Sequence, residues 1–153
     1  MANNIAITLL LILSIWANHV QSIPQNKRRC FFTPKFDVDI ANKLPSNSAP
    51  LKLHCASKNN DLGYHILPIN DQFNINFCRN VGMSTLFFCH LWWGSKDLGF
   101  RAFDRKTMGF CDEDKGICYW EVRDDGLYYI KFTPPASGKT NYFVKYRDWN
   151  IKK

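Results

Sequence analysis

Cysteine and histidine are the side chains here best equipped for chemistry, and three of them crowd into "LKLHCASKNNDLGYHIL", residues 51–67, as His54, Cys55 and His65. A metal site or a thiol catalyst would use this combination. The alternation of Leu51, Leu53 and Cys55 puts all three on one face of a strand, so Cys55 points inward, where a thiol is a poor nucleophile. With Lys58 to Asp61 as a four-residue loop, Cys55 faces Tyr64, Leu53 faces Ile66, and His54 stands opposite His65 on the outer face. Directly opposed side chains lie ~5 Å apart at Cβ, within reach of a shared metal or proton. No Asp or Glu flanks either histidine in phase and no further ligand is at hand, so the pair reads as a cross-strand structural contact.

The other chemical stretches also read as scaffold. In "FFCHLWW" (87–93), Cys89 is in phase with Phe87, Leu91 and Trp93, while Phe88, His90 and Trp92 take the opposite face. One tryptophan is expected in the core and the other is available as a binding anchor. "HLWW" lacks the glycine and proline of the His-Gly-Leu-Trp-Pro box of plant T2-type ribonucleases, and no second histidine segment accompanies it. "DEDKGI", between Cys111 and Cys118, lacks the ligand spacing and closing Glu of an EF-hand loop. Asp124-Asp125-Gly126 is a hairpin turn. From Leu127 to Lys153, six basic residues and one acid are interleaved with aromatics. Nucleic acid can take such a surface, but in an exported chain an acidic glycan or a receptor face suits it better. No cofactor, metal ion or nucleic acid is expected, and no enzyme activity.

Export is read from the leader. Ile5 to Trp16 is apolar, too short to span a bilayer comfortably, and followed by Val20-Gln21-Ser22, which suits cleavage after Ser22. Residues 1–22 are therefore assigned as a signal peptide and 23–153 as a single domain. All 20 Lys and Arg and all 13 Asp and Glu lie beyond Ser22, so the mature chain keeps the net charge of +7. Such a charge suits anionic lipid, acidic walls or an acidic receptor face. The 6 cysteines also lie beyond Ser22; in an exported chain they read as disulfides, with fifteen pairings open, as in about any six-cysteine chain.

Period-two alternation supplies the elements that must position these residues. "KFDVDIAN", "LKLHC", "QFNINF", "TLFFCHLWW", "LGFRAF", "ICYWEV", "LYYIKF" and "NYFVKY" each read as a strand, separated by Asn-, Asp-, Pro- and Gly-rich turns. An all-β antiparallel sandwich of about 7–9 short, disulfide-stapled strands follows. Cys78 lies on the polar face of its strand, in phase with Gln72, Asn74 and Asn76. Its partner must approach from outside the core, and Cys30, on the basic arm "IPQNKRRC", is placed to do so.

In order along the chain, "VDIANKL", "LKLHCASKNNDLGYHIL", "FNINF", "TLFFCHLWW" and "CYWEVRDDGLYY" resemble the plant self-incompatibility S-protein family, the S-protein homologues. The resemblance implies a small secreted β-sandwich whose founding members are ligands, made in the pistil and read by a pollen membrane protein. It maps a four-cysteine pattern onto Cys55, Cys89, Cys111 and Cys118, leaving Cys30 and Cys78 as an extra pair. Cys55 and Cys118 both lie inward on strands and are paired on that ground, which assigns Cys89 to Cys111. The expected role is a monomeric, non-enzymatic signalling ligand for a plant cell-surface receptor. The surface expected to carry it is three loops: Lys58, Asn59, Asn60 and Asp61; Gly94, Ser95, Lys96 and Asp97; and Asp112, Glu113, Asp114 and Lys115 with Gly116. The alternative is a basic apoplastic defence protein binding microbial membranes or cell-wall glycans.

Overall fold

The computed structural model describes residues 30–133, 137–138 and 140–151. The signal peptide assigned to 1–22, most of the basic arm, and the middle of the Pro-rich turn at 133–138 lie outside them. Ten strands follow in order: β1 Lys35–Asn42, β2 Leu51–Ser57, β3 Asp61–Leu67, β4 Gln72–Cys78, β5 Phe87–Trp93, β6 Lys96–Phe103, β7 Ile117–Arg123, β8 Gly126–Lys131, β9 Tyr142–Arg147 and the two-residue β10 Asn150–Ile151. A short 3₁₀ turn, Thr107–Phe110, separates β6 from β7. Two five-stranded sheets result, ordered β4-β1-β7-β8-β9 and β10-β6-β5-β2-β3. The expected all-β sandwich is present. One pairing departs from an antiparallel pattern: β1 runs parallel to β7, from Asp37 opposite Ile117 to Asn42 opposite Val122.

The alternation works as strand geometry requires. Val38 and Ile40 of β1, Ile75 and Phe77 of β4, and Trp120 and Val122 of β7 meet Leu51, Leu53, Leu91, Leu98 and Phe100 of the other sheet in one buried core. Phe36, Phe77, Phe87 and Phe103 close one end, with ring centroids of neighbouring pairs 4.7 to 6.2 Å apart. Burying a phenylalanine stabilises by roughly 1.5–3 kcal/mol, and offset or edge contacts add a little more. Polar groups inside are tied across the layers. Fully buried Asn42 donates from Nδ2 to the Leu67 carbonyl at 2.8 Å and accepts from Leu44 N–H at 3.0 Å. Trp120 Nε1 donates to the Ala102 carbonyl at 3.0 Å.

The bridges correct two of the expected disulfides. Cys30 joins Cys78 as the polar phase of Cys78 requires, but Cys55 joins Cys89 and Cys111 joins Cys118. Cys55 and Cys89 are direct cross-strand partners on neighbouring β2 and β5, with Cα atoms 4.1 Å apart. The loop from Cys111 to Cys118 folds back on itself, pairing Asp112 with Ile117, so its two ends meet. Inward phase placed Cys55 and Cys118 correctly toward the core, but they belong to different sheets, and each found a nearer partner. No bridge among the three crosses from one sheet to the other.

Candidate functional site

The β2–β3 hairpin departs from the expected register, and the departure builds the site. Its turn is three residues, Lys58 to Asn60, closed by Ser57 N–H donating to the Asn60 carbonyl at 2.8 Å. Ala56 then pairs with Asp61 but His54 pairs with Tyr64, so β3 carries one extra residue at a bulge. Gly63, at φ +77°, takes the left-handed conformation that such a bulge needs. A one-residue shift turns every later side chain of a strand to its other face. His65 therefore goes inward beside Leu53, its ring tilted against Phe73 at 4.4 Å with its Nε2 at 2.7 Å from the Leu62 carbonyl. The expected His54–His65 pair is not formed.

Tyr64 and Ile66 turn outward instead, 64% and 62% exposed. Because β5 adjoins β2, the histidine opposite His54 on its other side is His90. The registers of β6, β5, β2 and β3 lay the outer face out in three rows. Asp97, Trp92, Lys52 and Ile66 form the first; Gly99, His90, His54 and Tyr64 the second; Arg101, Phe88, Ala56 and Asp61 the third. His54 stacks on Tyr64 at 4.5 Å, His90 stacks on Trp92 at 4.2 Å, and Tyr64 approaches Trp92 at 5.8 Å. The Lys52 ammonium sits 4.7 Å above the Tyr64 ring and 5.5 Å from that of Trp92, a cation–π arrangement.

Each imidazole is fixed by a carboxylate at one end of its strand. His54 Nε2 lies 2.7 Å from Asp61 Oδ1, and His90 Nε2 lies 2.8 Å from Asp97 Oδ2. Asp61 Oδ1 also accepts from Gly63 N–H at 2.8 Å; that amide first, then the His54 imidazole, hold its carboxyl below the ordinary range. Thus two of the expected loop residues, Asp61 and Asp97, are strand residues that clamp this face. The β2–β3 and β5–β6 turns themselves stand at opposite ends of the sheet, since β2 and β5 are antiparallel. Lys58, Asn59, Asn60, Gly94 and Ser95 are exposed in them, and Lys96 begins β6 with its ammonium over Trp93 at 4.7 Å. Asp112 to Lys115 belong to the loop entering the other sheet, where Asp112 accepts from Asp114 and Lys115 N–H, both at 3.1 Å. The three loops do not share one surface.

Two basic residues of the C-terminal stretch, Lys145 and Arg147, are engaged within the protein. Lys145 is bound to Asp125 at 3.1 Å and Asp148 at 2.7 Å, and both raise its pKa. Arg147 donates to the Gly99 carbonyl at 2.8 Å. Among the described residues, no group of three or more His, Cys, Asp and Glu side chains could hold a metal ion. A second exposed apolar group is Phe31 and Phe32, 84% and 97% exposed, beside the Cys30–Cys78 bridge. Trp92 was recognisable from strand phase as an outward residue. The meeting of His54 with His90 was not, because it depends on which strands are neighbours.

Fold and surface together define a disulfide-braced β-sandwich that presents a fixed aromatic and histidine face. The plant self-incompatibility protein S1 family matches residues 37–149, and the chain belongs to that family. S-protein homolog 5 of Arabidopsis thaliana is 40% identical over 78 residues, covering 50% of this chain and 58% of that one. S-protein homolog 21 of the same plant is 34% identical over 108 residues, covering 69% and 81%. Self-incompatibility protein S1 of Papaver rhoeas is 31% identical over 100 residues, covering 63% and 69%. The fold also matches a solved structure from the self-incompatibility protein homologues, described as small, highly stable, secreted proteins from plants. It does so at a TM-score of 0.51 and 20% identity, over 69% of this chain and 92% of that one. The chain is a secreted, disulfide-bonded member of the S-protein homologues.

Proposed function

We propose that this protein is a non-enzymatic ligand that docks to a partner at the plant cell surface through the outer face of β6, β5, β2 and β3. One observation carries the reading: exposed Tyr64 and half-buried Trp92, His54 and His90 share the outer face and are held in place by stacking and by Asp61 and Asp97. Side chains fixed before binding lose little freedom on binding, and aromatic residues dominate interface energies. Membership alongside self-incompatibility protein S1 supports a signalling role. The turns at 58–60 and 94–95 border this face at its two ends and would contribute partner selectivity.

The test is saturable binding of the labelled secreted protein to wall-less plant protoplasts. Binding should be competed by unlabelled protein and lost in Trp92→Ala, while thermal unfolding stays unchanged. Non-saturable binding, or full binding by that variant, counts against the reading. A membrane-active defence role is the second reading, favoured by exposed Phe31 and Phe32 next to the basic run 27–29. It requires liposome leakage that Phe31→Ser with Phe32→Ser abolishes and that weakens with salt.

A further inference from the structure

The composition of the outer face indicates what kind of molecule fits it. The centre of a protein–protein interface is depleted of charged groups and desolvated. Here every row carries ionisable side chains, and the central one holds His90 and His54, each backed by a carboxylate. A carboxylate paired with an imidazole offers both acceptors and donors in one plane, which suits the neighbouring hydroxyls of a sugar. The exposed ring of Tyr64 and the half-buried ring of Trp92 offer apolar faces that suit the C–H face of a pyranose. Four strands at ~4.8 Å spacing give a surface ~14 Å across, wide enough for a short oligosaccharide.

The cation beside those rings sets the charge of the ligand. Lys52 is exposed between Tyr64 and Trp92 and forms no ion pair among the described residues. By contrast Arg101, on the same face, is bound to Asp104 at 3.1 Å. Asp61 and Asp97 are each engaged by a histidine. An incoming carboxylate would thus meet one uncommitted positive charge next to two aromatic faces.

We propose that this face binds a uronate-bearing polysaccharide chain, with pyranose rings on Trp92 and Tyr64 and a sugar carboxylate on Lys52. The proposal rests on the reading of this face as the docking surface and names the chemistry it takes. Polygalacturonate serves as the acidic probe and its fully methyl-esterified form as the uncharged one, each used in native-gel retardation and titration of the secreted protein. The protein should bind both, and polygalacturonate more tightly. Trp92→Ala and Tyr64→Ala should each weaken both interactions about tenfold. Lys52→Met should weaken only the acidic one, and Lys115→Met, which removes the same charge from a loop of the other sheet, should change neither. Unaltered thermal unfolding of the four variants shows that the losses are local.

Three results would overturn the proposal: no retardation at low salt, binding equally sensitive to Lys115 and Lys52, or binding indifferent to Trp92 and Tyr64. Protoplast docking lost in Trp92→Ala with no polygalacturonate binding overturns it as well, and leaves a protein receptor on this face. Polygalacturonate binding lost in Trp92→Ala with protoplast docking intact supports it, and instead removes the receptor from this face.

Discussion

Removing the disulfides one at a time gives a quantitative test of how the chain is stapled. Cys55 and Cys89 are 34 residues apart and Cys111 and Cys118 are 7 apart. Loop-closure entropy assigns the first bridge about 3.8 kcal/mol and the second about 2.4 kcal/mol. The Cys55→Ala/Cys89→Ala variant should therefore lose about one and a half times as much stability as Cys111→Ala/Cys118→Ala in guanidinium unfolding. The gap should widen because Cys55 and Cys89 are fully buried, at 0% exposure, and truncation leaves a cavity there. If Cys55 were joined to Cys118 and Cys89 to Cys111, each double variant would break both bridges. The two losses would then be equal and large, and that outcome would refute the assignment. A tryptic map without reduction reads the same question directly, since the four cysteines fall on separate peptides, 53–58, 80–96, 107–115 and 116–123. Peptide 53–58 should be recovered linked to 80–96.

Other consequences concern buried polar groups and close backbone approaches. Asn42→Ala orphans the Leu67 carbonyl and the Leu44 amide and should cost about 3 kcal/mol in chemical unfolding. Gly116 sits at φ +66°, where a Cβ would collide with the Lys35 carbonyl, so Gly116→Ala should destabilise by at least about 2 kcal/mol, seen as a lowered Tm. Asp104 is desolvated, which raises its pKa, but hydrogen bonds from Thr107 N–H, Arg101, Lys106 N–H and the Thr107 hydroxyl outweigh this and hold it below the ordinary 3.8. Its contribution is thus complete above that value and lost as pH falls through the lower folded-state pKa. Tm measured against pH should fall on the acid side below about pH 4, and Asp104→Asn should flatten that limb.

Much of the architecture was readable because alternation is a local signal. Val38 and Ile40 against Asp37 and Asp39 define β1, and Ile75 and Phe77 against Asn74 and Asn76 define β4, with boundaries close to those observed. What alternation cannot carry is which strands lie side by side. Cys55 reads as inward from its own strand, but its bridge to Cys89 follows from β5 lying against β2. The same adjacency brings His90 to His54. The hairpin register failed on one residue, Gly63, whose positive φ admits the bulge that sends His65 inward and Tyr64 outward. The Asp61-Leu62-Gly63 sequence held a clue, since Asp61 accepts the Gly63 amide in a tight local loop. The loops expected to bind a partner are turns at different ends of the molecule, and only their strand residues Asp61 and Asp97 reach the aromatic face.

The place of β1 bears on when the molecule can finish folding. It is the first strand among the described residues, yet it lies between β4 and β7, and its parallel partner runs to Arg123. A chain delivered amino end first therefore carries β1 with one bare flank until β7, ending at Arg123, has been threaded through the export channel. Pairings so distant in sequence form slowly and leave an unpaired edge meanwhile. The Cys55–Cys89 link, by contrast, needs only the residues up to β5. Oxidation can thus precede closure of the second sheet, linking β2 to β5 while β1 still waits for β7.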